Sequence, residues 1–363
     1  MGLDVYLEAY QRLGNYSAVA REFGVNESTV RRSIKNGRTD PAINEAMTAI
    51  GTSTVPSLAW IKTKATKDAP GYSVMLRPGR EDPEETAERI RAAIEGMDAA
   101  DPLPPPQHVD DDLCTLYPIS DVHIGMQAWG RETGEAYSTD AAASRLRSWV
   151  GQCVAASPAA KTAIVLDVGD LTHADDVTNQ TPTSKHVLDV DTRHFRTLDV
   201  TIQALVHCID LAAQKHENVI VRILPGNHNV NSYLAVMFAL AERYRDNPRI
   251  RVQKVPGEFF VHQFGRVMLA AHHGDKAKAD RIVHMLADRY AEVWGKTDHR
   301  FLFTGHLHHH KSQDIGGVQW EQLRAVTARD AYATAHAFSA RAQLQAVTFH
   351  REKGEVSRVK VSS

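Results

Sequence analysis

The chain has 363 residues, 43% of them hydrophobic, enough for two domains with real cores. Its net charge of -2 excludes a uniformly basic nucleic-acid coat, so any nucleic-acid surface must be local. No run of about 18 apolar residues marks a membrane span, and the N-terminal MGLDVYLEAYQRLGNY lacks the charged and apolar regions of a signal peptide. Three cysteines without a spacing motif, Cys114, Cys153 and Cys208, read as reduced core thiols of a cytoplasmic protein.

In chain order, VYLEAYQRLG predicts a helix ending at Gly14, and SAVAREFG a second with Ser17 as N-cap. VNESTVRRSIKNG follows a tight turn at Gly24, with Asn26 as its cap. Small Ala20, turn Gly24 and apolar Val25 and Val30 match the spacing of a helix-turn-helix. The last helix offers Ser28, Thr29, Arg31, Arg32, Lys35 and, just beyond, Arg38, with no acid in that interval. Such a helix can contact base edges and hold phosphates, so DNA is the expected partner. The blander alternative is a three-helix packing module with a solvated basic face. This all-α domain is placed at residues 1–70, with WIKTKATK (60–67) as a basic edge. Residues 71–112 then hold an acidic amphipathic helix, EDPEETAERIRAAIEGM, and the Pro-rich joint DPLPPP, which favours extended chain.

From residue 113 to 363 the pattern changes to an α/β domain. CTLYPIS, TAIVLDV, NVIVRIL, RVMLAAH and RFLFTG read as strands, and 197–216 as a helix between two of them. A terminal hairpin is expected around Lys353-Gly354. Each apolar run delivers polar residues at its end: Asp121 and His123, Gly169-Asp170, Gly226-Asn227-His228, His272-His273-Gly274, and Gly305-His306-Leu307-His308. Ligand sites of open α/β sheets gather at such strand ends. Carboxylate, imidazole and amide oxygen without thiolate suit Mn²⁺, Fe²⁺, Zn²⁺ or similar ions, and the donors are too many for one ion.

The ordered set DVH, GD, GNH, HG and GHLH resembles the calcineurin-like metallophosphoesterases, over about residues 113–350. The resemblance implies a sandwich of two sheets flanked by helices, and two divalent metals: Mn²⁺ first, with Mg²⁺, Fe²⁺, Ni²⁺ or Zn²⁺ as alternatives. It implies Asp121, His123 and His308 on the first metal, Asn227, His273 and His306 on the second, and Asp170 bridging both. His273 is preferred to His272 because the family's ligand directly precedes Gly. His228 resembles the family's catalytic non-ligand histidine, which stabilises phosphoryl charge or protonates the leaving oxygen. His306 and His308 are expected to alternate from a strand end. His309 and His310 fall outside the ligand pattern.

Two departures bear on function. Asn229 stands where the family often has an acid after GNH, and the GDxVDRG-like run of Ser/Thr protein phosphatases is missing, which argues against a phosphoprotein phosphatase. His173, Asp175 and Asp176 are either supports of the ligands or loop polar residues, and Lys185, His186 and Arg193 either face substrate phosphate or solvent. A helix-turn-helix joined to this domain looks like phage- or prophage-encoded proteins, which would act in the host cytoplasm. The expected activity is a DNA exonuclease or endonuclease, similar to the nuclease subunit of double-strand-break repair complexes. The alternatives are a small-molecule or RNA phosphodiesterase or phosphatase, and a non-catalytic DNA-binding regulator. The resemblance also implies a homodimer, though no heptad or apolar patch in the sequence marks an interface.

Overall fold

The computed structural model describes residues 6, 9, 10, 12–25, 30, 56–58, 77, 78 and 103–363. The proposed DNA contacts Ser28, Thr29, Arg31, Arg32, Lys35 and Arg38 lie outside these residues, as do Asn26 and the acidic helix at 81–97. The chain divides into two compact units, Met1–Glu85 and Thr86–Ser363.

In the first unit, helix α1 spans Tyr16–Phe23. Its N-cap is Asn15, not Ser17: the Asn15 side chain accepts from the Ala18 N–H at 2.8 Å, satisfying one of the free donors at the helix start. Gly24 ends the helix at φ 65, a left-handed conformation that glycine adopts at little cost. Residues 9, 10, 12 and 13 are helical up to Gly14, whose N–H donates to the Tyr10 carbonyl at 2.9 Å. Tyr6, Ala9, Val19, Ala20 and Val30 are buried together, so the apolar positions read from the sequence share one small core. Strands β1 (Pro56–Leu58) and β2 (Arg77–Pro78) add a short antiparallel pair that the all-α expectation did not include. Runs of three and two residues are too short for periodicity to register.

The second unit is a sandwich of two sheets with helices on both outer faces. The six-stranded sheet has the order β13-β12-β3-β4-β5-β6. Strands β3 (Asp110–Ile119), β4 (Ala160–Asp167), β5 (Asn218–Ile223) and β6 (Ile250–Val252) run parallel. The hairpin β12 (Gln343–His350) and β13 (Gly354–Ser362) closes one side antiparallel to β3. The five-stranded sheet has the order β10-β11-β9-β8-β7, from β7 (Phe260–Phe264), β8 (Val267–His272), β9 (His299–Thr304), β10 (Lys311–Ile315) and β11 (Val318–Gln322).

Leu116, Ile164, Leu166, Leu269, Phe301, Phe303, Val347 and Phe349 are buried in one cluster between the sheets. Each contributes about 1.5–3 kcal/mol on burial. The crossovers carry α2 (Gly130–Thr133), α3 (Thr139–Ala156), α4 (His194–Lys215) and α5 (Ser232–Arg243), of which α3, α4 and α5 pack on the outer face of the larger sheet. Helix α4 buries Thr197, Thr201, Ala204, Leu205, Cys208, Ile209, Ala212 and Ala213, the three- and four-residue spacing of one apolar stripe. Helices α6 (Ala279–Arg289) and α7 (Ala291–Lys296) cover the smaller sheet. Cys114, Cys153 and Cys208 are buried free thiols, as expected of core filler, and burial pushes each up to about 12. No helix among the described residues is long and apolar enough to cross a membrane.

Candidate metal centre

Every strand expected to deliver polar residues does so at its carboxyl end. Strand β3 ends at Ile119 and is followed by Asp121 and His123, β4 by Asp170, β5 by Asn227 and His228, β8 by His273, and β9 by His306 and His308. Backbone hydrogen bonds tie these loops to one another. The Asp121 N–H donates to the Gly169 carbonyl at 3.2 Å, His123 N–H to the Asp170 carbonyl at 3.0 Å, and Gly305 N–H to the His273 carbonyl at 2.9 Å.

The loops are also strained. Asp121 (φ 51), His123 (φ 50), Asp170 (φ 55), His306 (φ 73) and His308 (φ 57) all occupy the left-handed region. That conformation costs about 1–3 kcal/mol per non-glycine residue and persists where surrounding structure enforces it, as at functional sites. His306 and His308 therefore do not alternate from a strand. Strand β9 stops at Thr304, and both imidazoles are aimed by a tight turn. Glycine is required beside them at Gly305, where a Cβ would lie 2.6 Å from Asp121 Oδ2.

Two groups of ligand-type atoms converge, each within 4.8 Å: Asp121 with His123 and His308, and Asp170 with His273 and His306. In the first, His308 Nε2 is 3.3 Å from both Asp121 Oδ1 and His123 Nε2. In the second, His273 Nε2 is 3.1 Å from both Asp170 Oδ2 and Asn227 Oδ1. His273 Nδ1 lies 2.9 Å from the Val168 carbonyl, which can only accept, so Nδ1 donates there and Nε2 is the nitrogen directed at the cluster. The two carboxylates are almost wholly buried, Asp121 at 0% and Asp170 at 2% exposure.

Burial alone would raise the pKa of Asp121, but the His308 beside it holds it below the usual carboxylate range. Asp170 is likewise held low against its burial by His273. His123 is lowered well below its ordinary value by burial and by His228, His173 and His308. Two buried carboxylates ringed by imidazoles form a donor set that a pair of divalent cations would complete. A third convergent group, His123, His173 and His228, has no carboxylate to balance a cation.

His272 is excluded from the cluster. It faces Phe259, with ring centroids 4.6 Å apart, and Glu258, 3.6 Å from its Nε2. His309 and His310 are outside it too: His309 Nδ1 bonds the Leu307 carbonyl at 3.0 Å, and His310 lies 3.4 Å from Glu321. Among the described residues the Lys185, His186 and Arg193 side chains make no hydrogen bond to the cluster.

The supporting residues were only partly legible. His228 Nδ1 donates to the His173 carbonyl at 2.7 Å, and its backbone N–H donates to Asp170 Oδ1 at 2.8 Å. Asp175 accepts from the Asn231 and Ser232 N–H groups at 3.0 and 2.7 Å, fixing the chain just after His228, whereas Asp176 only closes a local turn onto Thr178. Asn229 makes no hydrogen bond to the His228 ring. Its Oδ1 accepts from the N–H groups of Gly226 at 2.7 Å and Asp170 at 3.2 Å, joining two ligand loops. The side-chain oxygen of an amide or an acid can accept both bonds, so the departure at Asn229 leaves this support in place.

No protein-family model matches the chain, and no curated protein matches it. Among solved structures it is similar to a dimetal phosphatase from Danio rerio, at 12% identity over 70% of this chain and 99% of that one, with a TM-score of 0.36. It is also similar to an archaeal protein described as a phosphodiesterase (12% identity, 69% and 99% covered, TM-score 0.35). A third is vacuolar protein sorting 29 from Cryptosporidium parvum (13% identity, 70% and 100% covered, TM-score 0.34).

Proposed function

We propose that the chain is a two-metal phosphodiesterase acting on DNA. The observation that supports this best is the pair of buried carboxylates, Asp121 and Asp170, each enclosed by its own imidazoles within 4.8 Å. On this reading Asp121, His123 and His308 hold one cation, Asn227, His273 and His306 the other, and Asp170 both. Two divalent cations, Mn²⁺ in our proposal, supply Lewis-acid chemistry: a nucleophile from water at neutral pH and neutralisation of phosphoryl charge. The chain's own residues do the rest. Asp170 is oriented by the His228 N–H and by the Asn229-bound loop. His228, with Nδ1 occupied by the His173 carbonyl, keeps Nε2 for the phosphate, where a protonated ring can give its proton to the leaving oxygen.

DNA as substrate draws its support from the helix-turn-helix spacing and from the shared core of Tyr6, Ala9, Val19, Ala20 and Val30 in the first unit. Tethering a DNA-binding module to the catalytic unit raises the local concentration of DNA. The test is hydrolysis with added Mn²⁺ of linear duplex, single-stranded and circular DNA and of bis(p-nitrophenyl) phosphate, with Asp170→Asn as control. Metal-dependent loss of DNA that the control lacks is the expected result. Turnover of the small diester alone would remove DNA as substrate and keep the metal centre; no turnover of any of them would overturn both.

A further inference from the structure

An exposed group of aromatic rings follows, along the chain, a segment bonded to the metal centre. The segment after β11 is joined to the first ligand: Val326 N–H donates to the Ser120 carbonyl and Thr327 N–H to the Asp121 carbonyl, both at 3.0 Å. Five residues beyond Thr327 comes Tyr332, in the short helix α8 (Ala331–Ala335). At most about 3.6 Å per residue, that places its Cα within about 18 Å of Thr327, which is bonded to the backbone of the first ligand. Tyr332 is 61% exposed and Phe338 56%. Between them lies His336, its ring 4.1 Å from Tyr332 at 33° and 5.8 Å from Phe338 at 28°. The His336 Nδ1–H donates to the Tyr332 carbonyl at 2.9 Å, which sets the ring's direction. Helix α8 packs against α2, whose N-cap residue Trp129 is 61% exposed.

Cations accompany the rings. The Arg131 guanidinium lies 5.6 Å from the centre of the Trp129 ring, and that of Arg329 reaches over Gly134 at the end of α2. Of the nearby acids, Glu135 is paired with Arg145 and Asp330 caps α8 by accepting from Ala333 N–H at 2.7 Å; Glu132 is exposed beside Arg131.

Exposed aromatic rings on and beside one pair of packed helices, with guanidinium groups beside them, match one class of ligand: bases with free faces on an anionic backbone. Duplex DNA stacks its bases on one another and offers only their edges. We propose that Trp129, Tyr332, His336 and Phe338, with Arg131 and Arg329, form a stacking platform for an unpaired polynucleotide strand whose phosphodiester enters the metal centre. The proposal rests on the phosphodiesterase reading and narrows its substrate to single strands or frayed ends.

The test is fluorescence anisotropy of a labelled oligothymidylate of about 12 nucleotides, within the span of known single-strand sites. It uses the full chain in EDTA, so that nothing is cleaved. Tyr332→Ala with Phe338→Ala is expected to bind at least tenfold more weakly, while Tyr332→Phe with Phe338→Tyr retains affinity. Trp129→Ala, on a different element, is expected to weaken binding as well, and thermal unfolding checks that each variant is folded. Equal affinity in the alanine variants, or no binding by the wild-type chain, overturns the platform; the rings would then be a surface for a protein. Because binding is read without metal, such a failure leaves the metal centre standing. A chain that binds the strand and hydrolyses no phosphodiester with Mn²⁺ sinks the phosphodiesterase reading instead.

Discussion

His228 and Asn229 are neighbours in sequence with separable tasks. The His228 ring is held by one hydrogen bond to a carbonyl and is outside both carboxylate-containing groups. His228→Ala should therefore retain bound metal, read by elemental analysis, while turnover of bis(p-nitrophenyl) phosphate falls by roughly 100-fold or more, the usual worth of a general acid. Loss of metal along with activity would make it a ligand. Asn229 acts on the backbone instead. Removing its Oδ1 leaves the Gly226 and Asp170 N–H groups unpaired in a buried loop, so Asn229→Ala should cost about 1–3 kcal/mol in urea unfolding. A midpoint within error of wild type would show that the two loops hold themselves.

At the scale of elements, His216 couples the start of β4 to β3 and makes stability depend on pH. Its Nδ1 lies 2.8 Å from the Ala160 carbonyl and must donate, so its Nε2 accepts the Tyr117 hydroxyl at 2.8 Å; the ring is buried and neutral. Burial lowers its pKa from the ordinary 6.5 to about 4. As pH falls below about 6.5 the unfolded chain takes up a proton that the folded chain refuses until about 4, so stability present above that window drains away within it, by about 3 kcal/mol. Unfolding midpoints of His216→Gln should fall less steeply from pH 6.5 to 4 than those of the wild type; parallel curves would assign the loss elsewhere.

The elements also show how far the sequence could be read. Strands β3, β4, β5, β8 and β9 were legible because they are apolar runs ending in Asp, His or Asn. Strand β10, KSQDI, is an exposed edge strand without an apolar face, and β6 has three residues, so neither carries a periodic signal. The ligand residue types and their convergence at the strand ends could be anticipated. The left-handed turn that aims His306 and His308 could not, because nothing in GHLH distinguishes it from the end of a strand.

For the molecule as a whole, two convergent groups of carboxylate and imidazole should make stability depend on metal. Adding Mn²⁺ at about 100 times its Kd should stabilise the fold by roughly 2.7 kcal/mol, and EDTA should remove that gain. A thermal midpoint indifferent to Mn²⁺ and to EDTA would count against a metal centre, whatever the activity assays return.

Five cluster residues share a backbone conformation that most side chains resist, and this restricts how the site could be redesigned. Asp, Asn and His are among the few non-glycine residues that enter the left-handed region readily. The vocabulary of donors open to this scaffold is therefore set by φ before coordination chemistry has a say. A protein engineer retuning metal preference at His308 should find His308→Asn nearly as stable in EDTA as the parent. His308→Cys should lose about 1–2 kcal/mol to the backbone alone, measured by urea unfolding. Equal stability of the two would mean that the turn can relax, and that softer, thiolate-binding metals are within this fold's reach.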